Sequence, residues 1–106
     1  MGRIERSAAA RADLISHFVY LAQEAGETIA DRFLDRAQES FGLLAEQAQI
    51  GPVVPTQIPT LVGVRKWRVR GFDRFLIFYI PIEGGVRIIR ILHSAQDWWG
   101  LLDLAD

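Results

Sequence analysis

Hydrophobic and polar positions along the chain follow one period up to about residue 48 and another from residue 64 onward. Ser7 is placed to cap a helix that opens with Ala8-Ala9-Ala10, all strong helix formers. Leu14, Ile15, Phe18, Val19, Leu21 and Ala22 then recur at helical spacing, with Arg11 and Asp13 assigned to the other face. Ala25-Gly26 reads as a C-cap and turn. A second helix starts near Glu27-Thr28. Ile29, Phe33, Leu34, Ala37, Phe41, Leu44 and Ala48 form its apolar stripe, and Asp31, Arg32, Asp35, Arg36 and Glu39 line its solvent side. So short a link between two amphipathic helices predicts an antiparallel hairpin.

Residues 49–63 break the pattern with Gly51, Pro52, Pro55, Pro59 and Gly63 and read as a connecting loop. Beyond it the period drops to two. Val64–Arg70 nearly alternates basic and apolar residues, as a half-buried strand does. Gly71-Phe72-Asp73 makes a tight turn. Arg74–Ile80 is apolar on both faces, predicting a central strand, with Phe75, Ile77 and Tyr79 on one face and Leu76, Phe78 and Ile80 on the other. Pro81 is expected to stop it. Ile82-Glu83-Gly84-Gly85 is a hairpin turn, and Val86–His93 is the next strand. Asp97 could cap a short final turn through Trp98, Trp99, Leu101 and Leu102, and residues 3–6 could add an edge strand.

The pattern predicts one α+β domain over residues 1–106: an N-terminal antiparallel helical hairpin packed on a C-terminal antiparallel sheet of three to four strands. Helices on one side would leave the other sheet face bare. The apolar patch there is expected to seek a partner polypeptide, and the chain alone should aggregate.

Composition narrows the function classes. Half of the 106 residues are hydrophobic and 24% are charged, an ordinary globular balance. Without cysteine, disulfides and cysteine–metal sites are excluded, as suits a reducing cytoplasm. His17 and His93 lie far apart with no ligand cluster around them, so neither a metal nor another cofactor is expected. Gly84-Gly85 is no phosphate loop, because no helix follows it. No secretory signal and no membrane span are expected, so the location read from the sequence is cytoplasmic. The net charge of −1 argues against a general nucleic-acid binder. Residues 1–50 carry five Arg against eight acids, and residues 51–106 carry seven basic residues against five acids.

Two stretches carry a family likeness. Ser7-Ala8-Ala9-Ala10-Arg11-Ala12-Asp13-Leu14 resembles the opening of ParE-like toxins of the RelE/ParE superfamily. Phe75-Leu76-Ile77-Phe78-Tyr79, followed by Ile89-Arg90-Ile91-Leu92-His93-Ser94-Ala95-Gln96-Asp97-Trp98, resembles their C-terminal signature. Ser94 stands where that family usually has Gly, and Gln96 where it usually has Arg. The resemblance implies the toxin of a type II toxin–antitoxin, plasmid-stabilisation pair. It would be neutralised by a cognate ParD-like antitoxin whose C-terminal segment wraps it. ParE-like members are associated with inhibiting DNA gyrase and RelE-like members with cutting mRNA on the ribosome, so fold alone does not choose between them.

The residue chemistry favours the protein-binding mode. A ribonuclease would need a general acid/base and phosphate-holding cations, for which His93, Arg90 and Arg68 are the candidates. The tail from Asp97 is acidic and apolar, however, not basic. Partner-binding candidates are Arg68, Arg70, Arg90, Gln96, Trp98 and Trp99. If Ile89 and Ile91 face the core, Arg90 faces away, ready for a partner's carboxylate. One of the adjacent tryptophans is expected to pack on the sheet and the other to anchor an interface. A degenerate toxin kept for antitoxin binding is the third reading, since Gln96 removes a charge.

Overall fold

A computed structural model describes residues 2–96 and 98–103. The elements run β1 (Arg3–Arg6), α1 (Ala8–Ala25), α2 (Glu27–Glu46), a 3₁₀ turn (Pro59–Leu61), β2 (Arg65–Val69), β3 (Phe72–Ile82), β4 (Gly85–His93) and α3 (Trp98–Asp103). The fold class is α+β, as the periodicities predict.

Ser7 starts α1 as expected: its hydroxyl oxygen accepts from the Ala10 amide at 2.9 Å. Gly26 alone joins the two helices, at φ 97°, a conformation that a side chain would strain. The inner face of the hairpin and one sheet face build the main core from Phe33, Phe41, Leu44, Phe75, Ile77, Tyr79, Ile88 and Ile91. Its floor is pinned by the Tyr79 hydroxyl, which donates to the Ala48 carbonyl and accepts from the Gly51 amide, both at 2.9 Å. Gly51 fits only because it lacks a Cβ; one there would stand 2.5 Å from the Lys66 carbonyl oxygen and 2.6 Å from the Tyr79 hydroxyl.

The sheet order is β1-β4-β3-β2. Three strands form the expected antiparallel meander, but β1 lies parallel to β4, so the sheet is mixed. β3 also runs through Pro81 instead of stopping before it, with Pro81 opposite Val86. Pairing with β2 begins at Tyr79, so past that residue β3 is an edge on that side and a missing N–H costs no ladder bond.

The second sheet face is not bare, which corrects the expectation of a free apolar patch. The 49–63 loop folds back over it, placing Val54 and Leu61 on Phe78, Ile89 and Leu92, and α3 adds Leu102 beside partly buried Trp98 and Leu101. The loop is fixed by backbone bonds, Val54 N to Val64 O at 2.8 Å and Lys66 N to Pro52 O at 3.2 Å. These cover the first half of the β2 edge as well.

α1 also departs from its predicted orientation. Asp13, assigned to solvent, is buried, while Ile15 and Val19, assigned to the core stripe, are exposed.

Candidate functional site

The residues singled out from the sequence fall in three places. Arg68 and Arg70 line a cleft of about 600 Å³ between α2 and the β2–β3 turn, with Leu43, Trp67, Glu39 and Asp73. Arg68 is open to solvent and lies 3.5 Å from Asp73. The Arg70 amide donates to the Ser40 hydroxyl at 3.3 Å. Trp98 lies on the second sheet face, its ring 5.4 Å from that of Phe78 and 4.6 Å from the Lys66 ammonium. It is the packed tryptophan. The side chain of Trp99 lies outside the described residues, as does Asp97.

The third place is the junction of α1 with β4. β1 pairs with β4 only from Gly85 to Ile88, so the edge of β4 beyond that point lacks a strand. Side chains of α1 and its cap occupy it. The Ser7 hydroxyl donates to Ile89 O at 2.6 Å, Asp13 Oδ2 accepts from Ile91 N at 2.9 Å, and His17 Nε2 donates to Ile91 O at 2.7 Å. The next amide, His93 N, donates to Gln96 Oε1 at 2.6 Å. Gln96 thus does what an Arg could not, because a guanidinium has no acceptor.

Arg90 sits inside this junction and not before a partner. Its Nε and Nη2 donate to Asp13 Oδ2 and Oδ1 at 2.7 and 2.8 Å, a two-pronged pair, and its Nη1 donates to Leu101 O of α3 at 2.9 Å. Only 13% of its side chain is exposed, so the carboxylate it meets is the chain's own. Asp13 and desolvation pull its pKa in opposite directions, and the pair wins, raising it. The expectation that Ile89 and Ile91 share a face fails because the β3–β4 register shifts between Phe78 and Tyr79. Ile89 is the extra residue; it turns into the second core and Ile91 into the first.

Beside the pair lies a cleft of about 340 Å³ that Ser16, His17, Tyr20, Phe75, His93 and Gln96 help to line. The Phe75 ring forms its floor, edge-on to His17 at 4.9 Å and to His93 at 5.1 Å. Burial holds the His17 imidazole below its ordinary pKa, which keeps it neutral as the donor to Ile91 O. His93 Nδ1 accepts from Ala95 N at 3.1 Å. Sequence reasoning missed Asp13, His17 and Tyr20 here. The one available signal was a carboxylate set between Ala12 and Leu14 near the start of α1.

The ribonuclease candidates do not converge. Arg68 is opposite Leu76 and Leu76 opposite Leu92, so Arg68 stands two strands from β4. His93, next to Leu92, alternates onto the other sheet face. Among the described residues no cluster of His, Cys, Asp and Glu could hold a metal, and no helix is long and apolar enough to cross a membrane.

A family model described as the ParE toxin of the type II toxin–antitoxin system, parDE, matches residues 4–98. The chain belongs to the ParE toxin family. Among solved structures it is similar to one titled a chromosomal ParDE TA system from P. aeruginosa, with TM-score 0.70 and 22% identity over 88% of this chain and 96% of that one. At that identity the likeness concerns the fold. No curated protein matches the chain. As a ParE family member it carries the family's match across both β4 and the α1 opening, the two elements that Asp13 and Arg90 lock together.

Proposed function

We propose that this ParE family toxin works in the cytoplasm by binding and inhibiting DNA gyrase, and that a cognate ParD-like antitoxin holds it inactive. The family match over residues 4–98 carries the reading. Protein binding is favoured over RNA cleavage by the scatter of Arg68, Arg90 and His93, and by the commitment of the Arg90 guanidinium to Asp13 and Leu101 O. A group already hydrogen-bonded at all three nitrogens has little left to offer a phosphate. On this reading Arg68 and Arg70 in the α2 cleft, with Gln96, are rim contacts for a partner.

The test is induced expression in a bacterial host together with a supercoiling assay using purified gyrase. Filamentation, DNA-damage signalling and lost supercoiling are expected. Arrested translation with cut mRNAs and unaffected gyrase would replace the reading with a ribosome-dependent ribonuclease. Unchanged growth would mark a degenerate toxin retained for antitoxin binding.

A further inference from the structure

The clefts at α2 and at β1 are walled by arginines and carboxylates, but the cleft between α1 and the end of β4 is not. Among the described residues, no carboxylate, lysine or arginine lines it. The His17 and His93 rings stand against its Phe75 floor at 71° and 89°. Tyr20 adds another ring at the rim, 55% exposed. A flat ring set in the cleft therefore meets aromatic surface on the floor and on the walls. Two polar groups at the mouth are donors only. His93 Nδ1 accepts from Ala95 N, so in the neutral imidazole the proton sits on Nε2. Gln96 commits its Oε1 to the His93 amide, which leaves its own NH2. Within the described residues neither donor has an acceptor. The Ser16 and Tyr20 hydroxyls beside them can turn either way.

We propose that this cleft binds a small, neutral, planar heterocycle that presents a carbonyl oxygen or ring nitrogen to His93 Nε2 and the Gln96 amide. Neither the gyrase nor the antitoxin reading is needed for it. Flatness follows from the aromatic floor and walls. Neutrality follows from the uncharged lining, because an ion stripped of water here finds no counter-charge. The acceptor follows from the two unspent donors, which a ligand without one would cover and leave unpaired. At about 340 Å³ the cleft lies at the low end of the ~300–1,000 Å³ typical of small-molecule sites. That is room for one or two fused rings and not for a stretch of polypeptide. Among the described residues, the exposed aromatic side chain that a second copy could insert is Tyr20. Tyr20 is itself part of the wall, so a copy using it as guest would dismantle its own cleft.

The experiment follows proton–nitrogen and imidazole proton–carbon NMR spectra of the full chain at about pH 8, where ordinary imidazoles are uncharged. Three probes are titrated in. Nicotinamide is flat, neutral and carries both kinds of acceptor. Nicotinate is the same ring with a carboxylate, and p-cresol is a tyrosine side chain in free form. Nicotinamide is expected to shift Ser16, His17, Tyr20, Phe75, His93 and Gln96 together, with a Kd on the order of 1 mM. Nicotinate and p-cresol are expected to bind at least about fivefold more weakly. Two surface variants, verified as folded by far-UV circular dichroism, test the contacts. Ser16→Phe fills the mouth and should abolish the shifts. Gln96→Glu keeps an acceptor for the His93 amide but removes the free donor, and should weaken nicotinamide about fivefold. Nicotinamide that leaves the cleft signals unmoved at about 20 mM overturns the proposal. So does binding that survives Ser16→Phe, or nicotinate binding as tightly as nicotinamide. Equal or tighter binding of p-cresol gives the cleft to a partner's aromatic side chain instead. Cleft signals that move when the chain is diluted without any probe give it to a second copy.

Discussion

Replacing Asp13 with Ala removes three hydrogen bonds in one step: two from the Arg90 guanidinium, at 2.7 and 2.8 Å, and one from the Ile91 amide at 2.9 Å. What remains is a cation with 13% of its side chain in solvent, still bonded to Leu101 O. Breaking a fully buried pair by removing one partner costs about 3–5 kcal/mol. The residual exposure and the Leu101 contact put this case at the low end, roughly 3 kcal/mol. The orphaned Ile91 amide adds about 1 kcal/mol. At ~4–8 °C per kcal/mol for a domain this size, the Tm should fall by roughly 16–32 °C. Asp13→Asn keeps an acceptor for Ile91 and should lose about half as much. Thermal and urea unfolding followed by circular dichroism read the single variants. A cycle with Arg90→Ala and the double variant should return a coupling of about 2 kcal/mol. An Asp13→Ala protein that melts within about 3 °C of wild type, or a cycle with no coupling, would refute the reasoning.

Three further outcomes are expected. Because burial lowers the His17 pKa, the unfolded chain takes up a proton that the folded one refuses; stability should therefore fall as pH drops below the ordinary histidine value of about 6.5. Urea midpoints from pH 8 to 5 should show a gentler decline in His17→Gln, and parallel profiles would contradict this. Tyr79→Phe strips the buried contacts to Ala48 O and Gly51 N and should cost about 2–3 kcal/mol in denaturant melts, whereas a loss below about 0.5 kcal/mol would mean water replaces them. Gln96→Arg exchanges the acceptor for the His93 amide for a donor; since that contact is open to solvent, a loss of at most about 1 kcal/mol is expected, seen as faster amide exchange at His93.

Much of the architecture was readable because local pattern and burial agree. The Phe33–Phe41 stripe, the Ser7 cap, Gly26 and the two faces of β3 follow from period and turn chemistry, and each stands where that chemistry puts it. Contacts distant in sequence were not readable. Residues 49–63 look like a plain connector, yet Val54 and Leu61 close the second core, because covering Phe78 and Leu92 is worth more than leaving the loop in water. One extra residue, Ile89, reversed the facing of half of β4, and a bulge leaves no mark in an all-apolar run. At the junction, the pattern points to Arg90 at the right strand end, but the carboxylate it meets is the chain's own. Asp13, 77 positions from Arg90, gave no local hint of the pair.

α1 buries Asp13 and exposes Ile15 and Val19, so grease alone does not determine which side turns inward. Ser7, Asp13 and His17 act as pegs that set its roll about its own axis by fitting three particular backbone groups of the sheet. A helix indexed in this way keeps its seat whatever stands on its outer side. The residues on that side can then change, even to other bulky apolar ones, without the helix rolling over to hide them. The seat of the helix is thereby uncoupled from the identity of its outer residues.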